Sequence, residues 1–334
     1  MFVGSPGESM GASMTRAAVD SALVHQARSI IDRGSKSFGA ASRLFSPAMR
    51  ADVTLLYTWC RHCDDVTDGQ ELGQGMISTA SAEALRELRE MSLAAVAGQP
   101  SDALPFRALA EVSARHPINR PLVEAHIRGF DLDVQRWQPV TLRDTLQYCY
   151  HVAGVVGIMM ARIMGVHDTS TLHRASDLGI AFQLTNIARD VVEDALAGRS
   201  YIPEEWRSEA GLSIDDLARP SRHQDVFPLV RRLIDEAEPY YESASIGIRA
   251  LPRRAAWAVA TARTVYRDIG LQIVRRGPVV LSDRVYTSQS RKILRMASSV
   301  PDALAPRRSH IAIARSGLWT PPEIVQARTE GQYP

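Results

Sequence analysis

Arg61-His62-Cys63-Asp64-Asp65-Val66-Thr67-Asp68 and Asn186-Ile187-Ala188-Arg189-Asp190-Val191-Val192-Glu193-Asp194 are the two stretches on which the reading of this chain turns. Each holds two aspartates four residues apart with an arginine beside them, and on a helix residues four apart share a face. Asp64 and Asp68 then form one acidic face, and Asp190 and Asp194 a second. Brought opposite each other, two such faces repel: one like-charged pair at ~4 Å and an effective dielectric of ~20 costs roughly 4 kcal/mol. A cation between them removes that cost. Mg²⁺ suits the role because it takes hard oxygen ligands and is commonly held by a few carboxylates together with phosphate oxygens, and Mn²⁺ can replace it at oxygen ligands. Arg61 and Arg189 would hold the remaining phosphate charge. The layout is that of a magnesium and diphosphate clamp.

The residues around these faces point to buried helices. Leu55, Leu56, Tyr57 and Trp59 precede the first pair, and Ile180, Ala181, Phe182 and Leu184 precede the second. Carboxylates on buried helices need partners. From about Thr15 to about Met296 the apolar residues keep a helical period, and sustained strand alternation is scarce, so the expected fold class is all-α. Breaks at Arg33-Gly34, Ser46-Pro47, Gly69 to Gly75, Gly98-Gln99-Pro100, His116-Pro117, Gln138-Pro139, His167-Asp168, Ala197-Gly198, Arg219-Pro220 and Leu251-Pro252 delimit helices of ordinary length. Ser46-Pro47 reads as an N-cap followed by proline in the first turn, opening the helix that carries Asp64. With no repeat and no shift in composition, the expected organisation is one helical domain over 15–300. Residues 1–14 read as a disordered tail and 301–334 as a loosely ordered one.

Composition narrows the class of function. The 334 residues are 45% hydrophobic and 23% charged, with a net charge of +2, a mixed surface without the basic block expected of a nucleic-acid binder. Three cysteines, Cys60, Cys63 and Cys149, make no secreted disulfide framework and fit a reducing compartment. The first residues lack a basic start and an apolar core, so they form no secretory signal. No apolar run is long enough to span a bilayer. The expected location is cytoplasmic, and a lipid substrate would favour peripheral membrane contact, although no strong basic amphipathic anchor stands out.

Other motifs fail on their own chemistry. An EF-hand at Asp64 needs a third-position ligand where Val66 stands and a twelfth-position glutamate where Gly75 stands. Cys60-Arg61-His62-Cys63 is a CxxC, but no second pair completes a zinc site and no βαβ context supports a redox motif. Its residues read as small, mostly buried positions on the aspartate helix. Gly73-Gln74-Gly75 lacks the third glycine and the preceding strand of a dinucleotide fingerprint. Asp131 and Asp133, two apart, diverge on a helix and read as surface charge. Gly154 and Gly157 interrupt an apolar helical run at about 1 kcal/mol each relative to alanine. They serve either close helix packing or a smooth wall for a long hydrocarbon. Ser35-Lys36-Ser37-Phe38 after Gly34 reads as a loop and cap whose hydroxyls, N–H groups and lysine would serve a nearby phosphate.

The segments Ser35 to Phe38, Tyr57 to Asp68, Tyr148 to Gly157, Gln183 to Asp194, Gly198 to Pro203 and Trp257 to Tyr266 keep an order and spacing that resembles the phytoene-forming members of the squalene/phytoene synthase family, over roughly residues 20–297. The resemblance implies an all-α isoprenoid synthase bundle with a central cavity holding two prenyl diphosphates. It implies that Asp64, Asp68, Asn186, Asp190 and Asp194 bind Mg²⁺. Arg61, Arg189, Arg199, Tyr57, Tyr201, Ser35, Ser37, Gln183 and Tyr266 would surround the diphosphates or the reacting carbons, with Tyr148 and Phe38 near the hydrocarbon. Every acidic ligand position of the family pattern is filled. The implied reaction joins two geranylgeranyl diphosphates through prephytoene diphosphate to phytoene, in carotenoid biosynthesis, with no NADPH expected. The alternative within the family is a squalene or dehydrosqualene synthase using two farnesyl diphosphates. One isoprene unit separates them, worth about 4 kcal/mol at ~0.8 kcal/mol per buried CH₂. A non-catalytic assembly factor of the same fold is disfavoured by the intact aspartates.

Overall fold

Among the described residues, proline, glycine and capping residues bound helices at breaks the sequence marks; the expected break at Gly69 to Gly75 and the expected tail over residues 1–14 lie outside the described residues. The computed structural model describes residues 21–34, 42–68, 82–282 and 315–321. After α1 (Ser21–Gly34), Pro47 opens α2 (Pro47–Asp68), and the Met49 N–H reaches Ser46 Oγ at 3.4 Å. Proline suits a first turn because its missing N–H has no helical partner there. Then come α3 (Ala82–Val96), α4 (Leu104–Arg115) and α5 (Arg120–Val134), the last two with proline again in the first turn. A reciprocal Thr141/Asp144 cap starts α6 (Leu142–Cys149). A π-helical turn, Tyr150–Gly154, leads into α7 (Val155–Ile163). Asp168 caps α8 (Thr169–Leu196), accepting from the Thr171 N–H at 2.8 Å. The remaining helices are α9 (Glu204–Glu209), α10 (Ile214–Leu217), α11 (His223–Ile248) and α12 (Arg253–Arg276). The described residues contain no strand, in keeping with the all-α expectation.

The architecture is organised around α8. Ser176, Asp177, Leu178, Gly179, Ile180 and Ala181 are buried in succession, more than a full turn, so no single face of this stretch is turned to solvent, as expected of a helix wrapped by others. Around it pack α7, the π turn, α11 and α12. Pro228 and Pro239 lie inside α11 but on exposed positions, where water can satisfy the carbonyls that proline frees. The Thr185 and Tyr241 hydroxyls meet at 2.8 Å across the α8–α11 seam. In α2, Val53, Leu55, Leu56, Trp59 and Cys63 are all buried, each large side chain worth about 1.5–3 kcal/mol. Trp59 Nε1 donates to Ser92 Oγ at 2.9 Å, tying α2 to α3.

Two close approaches bring α7 and the π turn onto α8. A Cβ on Gly157 would lie 2.3 Å from the Ala175 carbonyl oxygen, and one on Gly179 would lie 2.3 Å from that of Ala153. Gly157 also borders the apolar cavity described below, so it serves both close packing and a smooth wall. The π turn is held to α5 reciprocally: His126 Nδ1 faces the His151 carbonyl at 3.1 Å, and His151 Nδ1 faces the Ala125 carbonyl at 2.9 Å. A carbonyl only accepts, so both rings donate from Nδ1. Burial pushes both imidazoles down to about 4, leaving them neutral.

The decaying pattern after Pro301 does not foretell what residues 315–321 do. Arg315 Nε donates to Asp177 Oδ2 at 2.8 Å, the Trp319 N–H donates to the Tyr240 hydroxyl at 3.2 Å, and the Trp319 ring lies 5.4 Å from that of Tyr150. This segment therefore docks across α8, α11 and the π turn. No helix among the described residues is long and apolar enough to cross a membrane.

Candidate active site

On α8, Gln183, Asn186, Asp190 and Asp194 follow at intervals of three and four, and so form one stripe. Gly198, at φ +71°, turns the chain back after the helix, a conformation open to glycine at little cost. Arg199 and Tyr201 thereby come to line the same polar chamber of about 300 Å³ as that stripe, joined by Asp64 from α2, Asp133 from α5 and Tyr148 from α6. Two helices more than a hundred residues apart in sequence thus present their carboxylates to one space.

The chamber is electrostatically under-compensated. Asp194 is pushed up to about 7, first by burial; Arg199 opposes the shift, while Asp190, Asp133 and Glu193 add to it. Asn186 Oδ1 is buried and takes no hydrogen bond from any described residue, its Nδ2 donating to Gln183 Oε1 at 3.3 Å. Crowded carboxylates beside an unsatisfied amide oxygen are a hard-oxygen donor set, which fits Mg²⁺ or Mn²⁺. Among the described residues no three His, Cys, Asp or Glu side chains enclose an ion by themselves. That donor set matches an ion completed by phosphate oxygens and water.

A second, apolar cavity of about 390 Å³ adjoins the chamber, walled by side chains such as Val156, Met160, Leu178, Phe182 and Tyr266. Asp64, Val152, Gln183 and Asn186 border both spaces. Charge at one end and hydrocarbon wall at the other is the shape of an amphiphile with an anionic head. Tyr266 stacks on Phe182 with centroids 4.2 Å apart. Tyr57, also on the apolar wall, has its phenol pushed up to about 12, chiefly by burial.

The structure places the remaining expected residues as follows. Arg61 is paired with Asp65 at 2.5 Å, and Arg189 Nε with its neighbour Asp190 at 2.8 Å; both arginines are partly buried on the aspartate helices. Tyr148 lies at the polar end, stacked on Tyr201 with centroids 4.5 Å apart, instead of along the hydrocarbon wall. Ser35, Lys36, Ser37 and Phe38 lie outside the described residues, and Asp68 is described only as the last residue of α2. Cys63 and Cys149 are buried and Cys60 half-buried, and burial pushes all three thiols well up, as expected of small, mostly buried positions.

One expectation is corrected for one of its two residues. Asp131 is surface charge in a part-exposed ion pair, but Asp133 is not surface charge. Asp131 pairs with Arg89, and Asp133 accepts from the Tyr201 hydroxyl at 2.7 Å and from the Tyr148 hydroxyl at 3.1 Å. A signal was available in the spacing: Asp133 lies three residues after buried Phe130 and seven after buried His126, which continues the inward face of α5. The two-residue divergence only meant that Asp131 points elsewhere.

An all-α bundle whose aspartate-bearing helices share a polar chamber opening onto an apolar cavity defines an isoprenoid synthase. The sequence profile of the squalene/phytoene synthase family matches residues 31–291. A phytoene synthase of Pseudescherichia vulneris is 45% identical over 303 residues, 90% of this chain and 98% of that protein. A 15-cis-phytoene synthase of Enterobacter agglomerans is 47% identical over 291 residues, 86% and 99% of the two chains. Among solved structures, a ligand-bound dehydrosqualene synthase superposes with a TM-score of 0.73 at 28% identity, covering 83% of this chain and 95% of that one. A squalene synthase from Alicyclobacillus acidocaldarius, with a TM-score of 0.67 at 22% identity over 77% and 94%, shares the fold. The chain belongs to the squalene/phytoene synthase family.

Proposed function

We propose that this protein is a prenyltransferase that joins two geranylgeranyl diphosphates head to head, through prephytoene diphosphate, to phytoene. The observation that carries this reading is the junction at Asp64, Gln183 and Asn186, where the carboxylate chamber opens into the apolar cavity. Relatives at 45% and 47% identity that are phytoene synthases favour the C20 substrate over the C15 one. The protein would work in the cytoplasm, with peripheral membrane contact supplying its lipid substrates.

Asp64, Asp68, Asn186, Asp190 and Asp194 would hold Mg²⁺, which supplies positive charge that neutralises a departing diphosphate. Arg199, in the same chamber, and Arg61 and Arg189 on the flanking helices bind and orient phosphate oxygens. Gln183 and Asn186, at the junction, set the first allylic carbon between head-group and chain. The apolar wall excludes water that would quench an allylic cation. Phe182 and Tyr266 offer ring faces to positive charge. The buried Tyr57 phenol stays neutral there and donates no acidic proton.

The deciding experiment is incubation with Mg²⁺ and either geranylgeranyl or farnesyl diphosphate, with and without NADPH, followed by hydrocarbon analysis. The expected product is phytoene from the C20 substrate without reductant. A C30 hydrocarbon from farnesyl diphosphate alone would replace this reading with the squalene or dehydrosqualene one.

A further inference from the structure

Asp133 belongs to none of the aspartate pairs, yet it faces the same chamber as Asp64, Asp190 and Asp194. It stands at the end of α5, behind two tyrosines from other parts of the chain. Tyr201 donates to its Oδ1 at 2.7 Å, and Tyr148 donates to its Oδ2 at 3.1 Å. One carboxylate thus accepts a hydrogen bond from the phenol of each ring, and the rings stack at 4.5 Å with 16° between their planes. Trp137 extends the stack, its centroid 6.5 Å from that of Tyr148. Tyr148 and Tyr201 are 4% and 8% exposed, so the hydrogen bonds lie in a largely desolvated place where bonds to a charged acceptor are strong.

Each phenol has one proton to donate. With both protons committed to Asp133, neither hydroxyl can donate to a diphosphate oxygen in the same arrangement. What the pair then presents to the chamber is electron-rich ring face and phenol oxygen lone pairs. Those are the groups that interact favourably with developing positive charge and not with the leaving anion.

We infer that Asp133 is a positioning residue: it locks Tyr148 and Tyr201 as a stacked pair with their hydroxyl protons turned away from substrate, so that the pair supports cationic carbon. This rests on the prenyl diphosphate reading of the chamber. Its consequence is a division of labour among the acidic residues, in which the paired aspartates serve the anion and its metal while Asp133 serves the cation.

The test uses the full-length protein with Mg²⁺ and geranylgeranyl diphosphate. In Asp133→Asn one phenol loses its acceptor, and kcat is expected to fall about 10²-fold, the scale of a misplacement of roughly 1 Å in an active site. KM and the Mg²⁺ concentration for half-maximal rate should stay close to wild type. In a Tyr148→Phe/Tyr201→Phe background there are no phenols left to position, and adding Asp133→Asn should change kcat little further. Asp133→Glu, which keeps the charge and both acceptors, should recover part of the loss. A large rise in the Mg²⁺ requirement would make Asp133 a metal ligand and overturn the inference. An undiminished loss in the double-phenylalanine background would overturn it too, as would wild-type kcat in Asp133→Asn. Should Asp133→Asn fail to fold, Tyr201→Phe alone must show the same fall in kcat at unchanged KM, or the inference fails. A wild-type protein that makes no hydrocarbon would instead sink the functional reading itself.

Discussion

Arg315 and Asp177 form a buried ion pair, 10% and 0% exposed at their side chains, between a segment near the C-terminus and the helix that carries Asn186, Asp190 and Asp194. Ser243 from α11 also donates to Asp177 at 2.5 Å. Burial alone pushes this carboxyl up, and Arg315, then Ser243 and Arg174, pull it back. Breaking a buried pair from one side leaves an uncompensated charge, so Arg315→Ala is expected to destabilise the protein by about 3 kcal/mol. Denaturant unfolding measures this; a loss below ~1 kcal/mol would mean that Ser243 and Arg174 suffice for Asp177.

Gly179 meets the Ala153 carbonyl too closely for any side chain, the Cβ falling 2.3 Å from its oxygen. Gly179→Ala must push the π turn away from α8 at a cost of about 1–3 kcal/mol. Since Val152 of that turn borders both cavities, activity of the folded fraction should fall as well. A thermal melt and a rate per active protein, measured together, check both parts.

Removing a chamber oxygen proposed to hold the metal should act on rate and metal dependence at once. Asp190→Ala and Asn186→Ala are each expected to lower kcat by about 10²–10³-fold, the scale of losing one preorganised electrostatic contact. The Mg²⁺ needed for half-maximal rate should rise. Full activity in both Asp64→Ala and Asp190→Ala would end the diphosphate-ionising reading.

Cys60→Ser and Cys63→Ser should leave activity close to wild type, because burial holds both thiols protonated, away from the thiolate that a redox or metal role needs. A Cys–Met-like packing role tolerates so small a change. Loss of activity on either substitution, with Asp64→Ala active, would restore the CxxC reading.

His126 and His151 predict a pH window for stability. Each has its folded value pushed from 6.5 to about 4 by burial. Between those values the unfolded chain takes up protons that the folded chain refuses, so stability rises with pH across the window and falls on acidification. Above pH ~6.5 these rings add no slope. Unfolding free energies at pH 7.5 and 5 should therefore differ, with the lower pH less stable; equal values would mean that the two rings do not stay neutral.

Much of the fold was legible because local chemistry sets it. Ser46-Pro47, Asp168 and Gly198 act within one helical turn, and α2, α8 and the turn after α8 begin or end at them. The π turn was not legible, since Tyr150 to Gly154 carries an ordinary helical pattern and the contact the turn makes with His126 of α5 is distant in sequence. Nor was the docking of residues 315–321, whose partners Asp177, Tyr240 and Tyr150 are distant in sequence. Asp133 was half legible: its register on α5 pointed inward, but its partners lie 15 and 68 residues away.

By itself, then, the sequence determined the helices, the two aspartate stripes and the family, because residue type and i,i+4 spacing act locally and leave their mark in the order of letters. The tertiary structure alone decided that Asp64 shares one chamber with the α8 stripe, Asp133, Tyr148 and Tyr201. It also decided that this chamber opens into hydrocarbon space at Asp64, Gln183 and Asn186. Those outcomes depend on how closely helices approach and which side chains meet across the gap, and non-local packing of that kind has no period for a single sequence to display.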